Sequence, residues 1–181
     1  MRVSLVEREQ LVQQAKLAYD AHVEKGSLTN MKEALLLDYA TYEAYMGWYT
    51  SWARLLEIVE KRTAMIFAHS ISTTNSCLLC SLFFIRDLKA AGLDPKNLVM
   101  SEKEELLAQL GRQIVTDPTK VSDALFVQLK EHFTDGEIVA IVGFAGQMIA
   151  TNNFNSVLDT KVDESLLPFV EEFEPATWRK G

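Results

Sequence analysis

The sequence predicts an all-α protein of about seven or eight helices, and three observations support that prediction. Apolar residues recur at spacings of three, four and seven along most of the chain, which is the period of helices that bury one face. Two capping-box patterns precede later apolar runs, as at the start of many helices. No run of alternating apolar and polar residues is bounded by hairpin turns, so we expect no sheet.

The first part of the chain is expected to hold three helical stretches. Apolar residues at helical spacing cover residues 5–23, and Gly26 follows as a stop signal. A second helix is predicted over residues 32–45, and Gly47 is expected to interrupt it. The third stretch covers residues 48–71 and becomes apolar nearly all round, which predicts a buried helix.

The later elements are separated by clear breaks. The helix that holds both cysteines is expected to end at Gly92, ahead of a turn. Further helices are predicted near residues 101–110, over 121–133 and over 138–149, and a terminal turn follows. The two capping boxes are formed by Ser101 with Glu104 and by Thr134 with Glu137.

Length and charge restrict the classes of function. The chain has 181 residues and a net charge of -7, so affinity for nucleic acid or an anionic membrane is not expected, and the basic run at 178–180 is too short to change this. No signal peptide or membrane span is recognised, which predicts a cytoplasmic protein. We divide it into an N-terminal helical arm, residues 1–46, packed on a helical domain, residues 47–181.

The two cysteines, Cys77 and Cys80, are three residues apart, so on a helix their sulfurs can share a face. The polar stretch before them offers Asn75 or Ser76 as the N-cap, which would place Cys77 in the first turn. Free N–H groups there favour a thiolate, whereas Cys80 would be less exposed and less acidic. Simple packing and metal binding are the alternatives, with His69 as a third ligand, although zinc needs four.

The arrangement of an apolar helix, a short polar break and a C-x-x-C that opens a new helix resembles the alkylhydroperoxidase D (AhpD) and carboxymuconolactone decarboxylase superfamily. The resemblance covers residues 50–160. It implies an AhpD-like helical fold and a homo-oligomer, either trimer or hexamer. In the peroxidase branch it implies that one cysteine attacks a hydroperoxide and the other resolves the sulfenic acid to a disulfide, which a dithiol protein reduces.

The chain departs from the peroxidase pattern at three positions. Met65 and Phe84 stand where that pattern has a glutamate and a histidine, and Leu79 stands where known members carry another histidine. None of these side chains can accept a proton, so the usual relay is absent. His69 lies one helical turn after Met65 and is the predicted replacement, although a histidine packed in the core is the alternative.

Two further groups have both a functional and a structural interpretation. Asparagines after the last core helix either line a pocket or cap the helix end, and capping is favoured. An aromatic stripe either binds a ligand or packs in the core or a subunit interface, and packing is favoured. These groups are Asn152, Asn153 and Asn155, and Tyr39, Tyr42, Tyr45, Trp48, Tyr49 and Trp52.

The function predicted from these residues is a thiol-dependent, peroxidase-related oxidoreductase. The catalytic candidates are Cys77, Cys80 and His69, and no cofactor or metal is expected. One alternative is a non-catalytic helical oligomer that binds a small apolar ligand. A decarboxylase-type lyase ranks last, because no lysine or arginine lies between Arg62 and Arg86 to receive an acidic substrate.

Overall fold

The structure is a computed structural model that describes residues 1–175. The basic run at 178–180 lies outside the described residues. Within 1–175 there are eight α-helices, three short 3-10 helices and no strand, so the all-α prediction is confirmed. The α-helices are α1 (Gln13–Glu24), α2 (Asn30–Leu35), α3 (Tyr39–Ile58), α4 (Lys61–Thr74), α5 (Leu78–Ala90), α6 (Glu102–Thr116), α7 (Asp123–His132) and α8 (Asp135–Leu158), and the 3-10 helices are Arg8–Gln10, Pro118–Lys120 and Glu164–Glu172.

Helix α4 lies at the centre of the fold, as its nearly uniform apolar character predicts. Nine of its fourteen residues are buried, because α3, α5, α6 and α8 all contact it. Phe67 and Ile71 are fully buried and belong to one apolar cluster with residues of α6 and α8. The Phe67 ring lies 6.0 Å from that of Phe144 in α8. This core fixes the end of α4, where the cysteine segment begins.

Both predicted capping boxes are present. Ser101 and Glu104 exchange side-chain and backbone hydrogen bonds at 2.8 and 3.3 Å at the start of α6. Thr134 and Glu137 do the same at the start of α8. These contacts satisfy N–H groups that have no partner within the helix, so a local pattern was enough to place both helix starts.

Several predicted boundaries in the first half are wrong. The first helix begins only at Gln13, after a 3-10 turn. The helix predicted over residues 32–45 is divided, because the Asp38 side chain accepts a hydrogen bond from Thr41 N–H at 2.8 Å and thereby starts α3. The stretch predicted over residues 48–71 is also divided, since α3 ends at Ile58 and Glu60 is the N-cap of α4.

Gly47 does not interrupt its helix. Helix α3 continues through it, at a cost of about 1 kcal/mol for glycine relative to alanine. The tryptophans that follow, Trp48 and Trp52, pack on Phe144, and this burial offsets that cost. The predicted boundary between residues 46 and 47 therefore falls inside α3, and the division into an arm and a domain stays a prediction.

The last core helix is longer than predicted. Helix α8 continues nine residues beyond 149 to Leu158, and Asp159 ends it in a left-handed conformation. Within residues 1–175 no single helix is long and apolar enough to cross a membrane. Only α7 and α8 taken together, with a bend of 118° between them, meet that criterion of length and composition.

Candidate functional site

The cysteine segment begins at a tight turn between α4 and α5. Helix α4 ends at Thr74, and Ser76 adopts a left-handed φ of 54°, which redirects the chain. Cys77 is extended, and its N–H donates to the carbonyl of Ser72 at 3.0 Å. Helix α5 then begins at Leu78. The predicted polar break before a new helix is therefore confirmed.

The predicted N-cap is wrong by one or two residues. Cys77 itself, rather than Asn75 or Ser76, is the N-cap, and its Sγ accepts a hydrogen bond from the Cys80 N–H at 3.4 Å. A sulfur in this position receives the positive end of the helix dipole directly. The local backbone thus stabilises a thiolate at Cys77.

The two thiols have opposite acidity. The pKa of Cys77 is lowered by the hydrogen bond from the Cys80 side chain and, against the effect of burial, by the Cys80 N–H and the Ser156 hydroxyl. The pKa of Cys80 is raised well above its ordinary value, first by burial and then by Cys77. Cys77 is therefore the first of the two thiols to lose its proton, while Cys80 stays protonated. This is the order of acidity that the sequence predicts.

A pocket of about 410 Å³ approaches this pair from the side of α3. Of the two cysteines, Cys80 is the one that lines it. Both side chains are buried, with exposed fractions of 1% for Cys77 and 5% for Cys80, so exposure does not distinguish the two sulfurs. Because Cys80 lines the pocket, a molecule there would meet its sulfur first.

Aromatic rings form one wall of the pocket. Trp48 and Trp52 are stacked with centroids 5.4 Å apart, and Trp52 lies 6.2 Å from Phe84. The same tryptophans contact Phe144 in the core, so these rings both pack in the core and line the pocket. The favoured interpretation of the stripe as packing is therefore incomplete. Four members line the pocket: Tyr45, Trp48, Tyr49 and Trp52.

Charged side chains also line the pocket, and their positions along the sequence did not indicate that they would lie near the cysteines. Lys32, Lys61, Arg86 and Asp87 all line it. The absence of a cation between Arg62 and Arg86 in the sequence therefore does not make the pocket neutral, because α2 and the start of α4 supply two lysines. Lys32 gave no signal in the sequence, since a lysine in the first turn after a capping threonine is usually solvated.

The asparagines of α8 do not cap its end, because the helix continues past them to Leu158. Asn155 is 4% exposed, lines the pocket and donates from Nδ2 to the Cys80 Sγ at 3.3 Å. Its Oδ1 is buried and has no hydrogen-bond partner among residues 1–175. Asn152 and Asn153 instead accept hydrogen bonds from Ser72 and Asn75 near the end of α4. The pocket interpretation thus holds for Asn155.

His69 is neutral and lies apart from the hydrogen bonds of the cysteine pair. Burial lowers the pKa of His69 to about 4. Within the described part of the chain, its ring makes no hydrogen bond to either sulfur. Met65 is buried in a separate apolar cluster, whereas Phe84 lines the pocket. The catalytic role predicted for His69 therefore stays a prediction.

Two further points concern metal binding and a residue that the sequence analysis did not identify. Among residues 1–175 no group of three or more His, Cys, Asp or Glu side chains is arranged to hold a metal ion. Ser156, whose hydroxyl helps to lower the pKa of Cys77, was not singled out in the sequence. It could have been recognised only as the neighbour of Asn155, which contacts Cys80 from the C-terminal part of α8.

No protein-family model matches the chain, and no curated protein matches it either. Among solved structures, it is similar to the crystal structure of an alkylhydroperoxidase AhpD core, an uncharacterized peroxidase-related protein from Ralstonia eutropha. The TM-score is 0.72 at 16% identity, over 91% of this chain and 93% of that one. At this identity the likeness shows the fold, so the predicted AhpD-like fold is confirmed.

Proposed function

We propose that this chain is a thiol-based oxidoreductase in which Cys77 and Cys80 reduce a hydroperoxide bound in the pocket. The observation that carries the proposal is the pair of neighbouring thiols, in which the Cys77 sulfur accepts a hydrogen bond from the Cys80 N–H and is acidic, and Cys80 lines the pocket. The likeness to a peroxidase-related protein supports it. Assembly as a trimer or hexamer, and reduction by a dithiol protein, belong to the same proposal.

In the first step Cys80 is the attacking sulfur, because it is the one in the pocket. Its proton passes to the neighbouring Cys77 thiolate, which accepts a hydrogen bond from the Cys80 N–H. The Cys80 sulfur then takes the terminal oxygen of the hydroperoxide, and the O–O bond breaks. The alkoxide that leaves takes the proton back from Cys77 and departs as an alcohol.

In the second step the Cys77 thiolate attacks the sulfenic acid on Cys80. The S–S bond forms and the S–O bond breaks, and the hydroxide that leaves becomes water with a proton from solvent. The two sulfurs have then supplied the two electrons that reduced the peroxide. An external dithiol restores both thiols by exchange and becomes the disulfide itself.

This scheme replaces the relay that Met65 and Phe84 cannot provide. Cys77 holds and returns the proton, so no carboxylate or imidazole has to do so. Asn155 positions the reactants, because its Nδ2 donates to Cys80 while its unpartnered Oδ1 can accept the O–H of a hydroperoxide. The apolar wall around them excludes water from the sulfenic acid.

The test treats the reduced protein with one equivalent of cumene hydroperoxide and follows the thiols by mass spectrometry. We expect an internal disulfide between Cys77 and Cys80 and one equivalent of alcohol. Cys77→Ser should react much more slowly, because it lacks the acceptor for the Cys80 proton, and should stop at a sulfenic acid that a cyclic dione traps on Cys80, whereas Cys80→Ser should not react. Peroxide consumption by the double serine variant at the rate of the unmodified protein would overturn the proposal.

A second candidate function is the binding of a small apolar ligand without chemistry. The burial of both sulfurs, at 1% and 5% exposed, and the apolar Met65 and Phe84 favour it. The native thiols would then resist an aromatic disulfide reagent at pH 6.5, although an apolar ligand would still bind. Rapid labelling at that pH supports the oxidoreductase instead, because it requires a stabilised thiolate.

A further inference from the structure

Lys32 is a buried cation on the wall of the pocket. Its exposed fraction is 7%, although lysine is among the residues least often buried without a paired charge. It belongs to the first turn of α2, where Thr29 caps the helix by accepting from the Lys32 N–H at 3.3 Å. The helix start therefore fixes the backbone from which this side chain enters the pocket.

The contacts of the Lys32 ammonium group are neutral. Its Nζ donates to the Ser27 carbonyl at 2.6 Å, lies 3.5 Å from the His22 Nδ1 and stands 5.4 Å from the centroid of the Tyr49 ring. No ion pair joins Lys32 to a carboxylate in the described part of the chain. An ammonium group has three donors, and the carbonyl and the imidazole account for at most two of them.

His22 cannot supply the missing negative charge. Its ring nitrogens lie 3.0 Å from the Ser27 hydroxyl and 2.8 Å from the Tyr42 hydroxyl, which hold the ring in place. Burial lowers the pKa of His22, and the charge of Lys32 lowers it further. The imidazole is neutral at pH 7, so it does not compensate the charge of Lys32. The partly buried carboxylate of Asp163 interacts with Lys32 at longer range but forms no ion pair with it.

The other cations of the pocket differ from Lys32. Arg86 pairs with Asp87 at 2.7 Å, and that carboxylate also lines the pocket. Lys61 is exposed, so water screens its charge. A buried cation without a direct ion pair is costly, and a carboxylate brought by a ligand would lower that cost.

We propose that Lys32 binds the carboxylate of an amphipathic ligand whose apolar body lies against Trp48 and Trp52 toward Cys80. This inference rests on the proposed function and narrows its substrate to a hydroperoxide that also carries an acid group. The pocket volume of about 410 Å³ lies in the lower part of the range for small-molecule sites, so the ligand has a short chain or a small ring system.

The test measures binding with the thiols removed, so it does not depend on the peroxidase chemistry. The probes are decanoate and decan-1-ol, which share an apolar chain and differ in charge. They are titrated by calorimetry into the protein that carries Cys77→Ser and Cys80→Ser. We expect decanoate to bind about tenfold more tightly or better than decan-1-ol, since a hydrogen-bonded charge pair contributes at least that much.

Lys32→Met and Lys61→Met form a matched pair of variants, because both remove one pocket cation. Lys32→Met should remove the preference for decanoate, with a much smaller change in the affinity for decan-1-ol. Lys61→Met should retain most of the preference for decanoate. Equal binding of the two probes to the parent protein would overturn the inference, and that comparison needs no lysine variant to fold. The proposed function would survive that result if the thiol pair still reduced cumene hydroperoxide.

Discussion

Helix α4 meets α6 in a closed contact, whereas α3 lies over α5 and α8 and leaves the pocket between them. At the closed contact a Cβ built on Gly111 of α6 would lie 2.6 Å from the Ser70 Oγ and 2.9 Å from the Ile71 Cγ1. On the open side, half-buried aromatic residues of α3 surround about 410 Å³ of space. The closed contact fixes the end of α4 and therefore the thiol pair, while the open one leaves room for a ligand.

Truncation of a large side chain should give the largest difference in stability between the closed contact and the open side. Phe67→Ala at the closed contact should lower the free energy of unfolding by about 3–5 kcal/mol, because the fully buried ring leaves a cavity. Tyr49→Ala on the open side should lower it by less than about 1 kcal/mol, because the ring is 49% exposed. Urea unfolding at 25 °C measures both values, and similar losses for the two variants would contradict the distinction.

The pH dependence of stability tests how completely the His69 side chain of α4 is shielded from water. Because its folded pKa of about 4 lies below the ordinary value of 6.5, the unfolded state binds more protons between these values. Its contribution to stability is present above pH 6.5 and is lost as the pH falls toward 4. The loss should reach up to about 3 kcal/mol, and His69→Gln should remove this part of it.

Urea unfolding at a series of pH values measures the effect of His69→Gln. An unchanged dependence on pH would mean that the imidazole is hydrated in the folded protein. The same variant tests the predicted catalytic role of His69. If His69 relays protons, its substitution should also lower the rate of hydroperoxide reduction.

Adding a methyl group should test the closed contact itself. Gly111→Ala is expected to lower the free energy of unfolding by about 1–3 kcal/mol, because the new Cβ would overlap buried side chains. Gly146→Ala is the matched control, since this glycine lies inside α8 and its Cβ would meet nothing within 4 Å. It should raise stability by about 0.5–1 kcal/mol. Thermal unfolding of both variants decides, and a stabilising Gly111→Ala would show that the contact can open.

The ion pair across the closed contact should have the smallest effect. Arg62 of α4 and Glu104 of α6 lie 2.8 Å apart, and only Glu104 is deeply buried. Burial acts to raise the pKa of Glu104, but hydrogen bonds from Ser101 and Arg62 outweigh it, so the pKa is lowered from 4.5. The pair therefore stabilises the fold above that pH and less as the pH falls below it.

Glu104→Gln should lower the free energy of unfolding by about 0.5–1 kcal/mol at pH 7, because the Arg62 partner is partly exposed to solvent. The difference from the unmodified protein should shrink at acid pH. A constant difference between pH 7 and pH 3 in urea unfolding would show that the charge of Glu104 does not contribute.

Predictions from local sequence succeeded where a few neighbouring residues decide the structure. The two capping boxes satisfy N–H groups within one helical turn, so Ser101 and Thr134 could be recognised without knowledge of the fold. Predictions failed where distant packing decides. Gly47 was expected to break a helix, but the burial of Trp48 and Trp52 against α8 keeps α3 continuous. The pocket beside Cys80 and the burial of Lys32 depend on residues of α2, α3, α5 and α8 that come together only in the fold, so neither had a local signal.

The amino-acid sequence by itself determined the helical class, the starts of two core helices and the pairing of Cys77 with Cys80 at a helix start. These follow from the helical period and from hydrogen bonds between residues a few positions apart. Only the tertiary structure decided which sulfur lines the pocket, which asparagine contacts it and which lysine is buried without a direct ion pair. Those properties depend on burial, and burial is set by segments that are distant in the chain and adjacent in the fold.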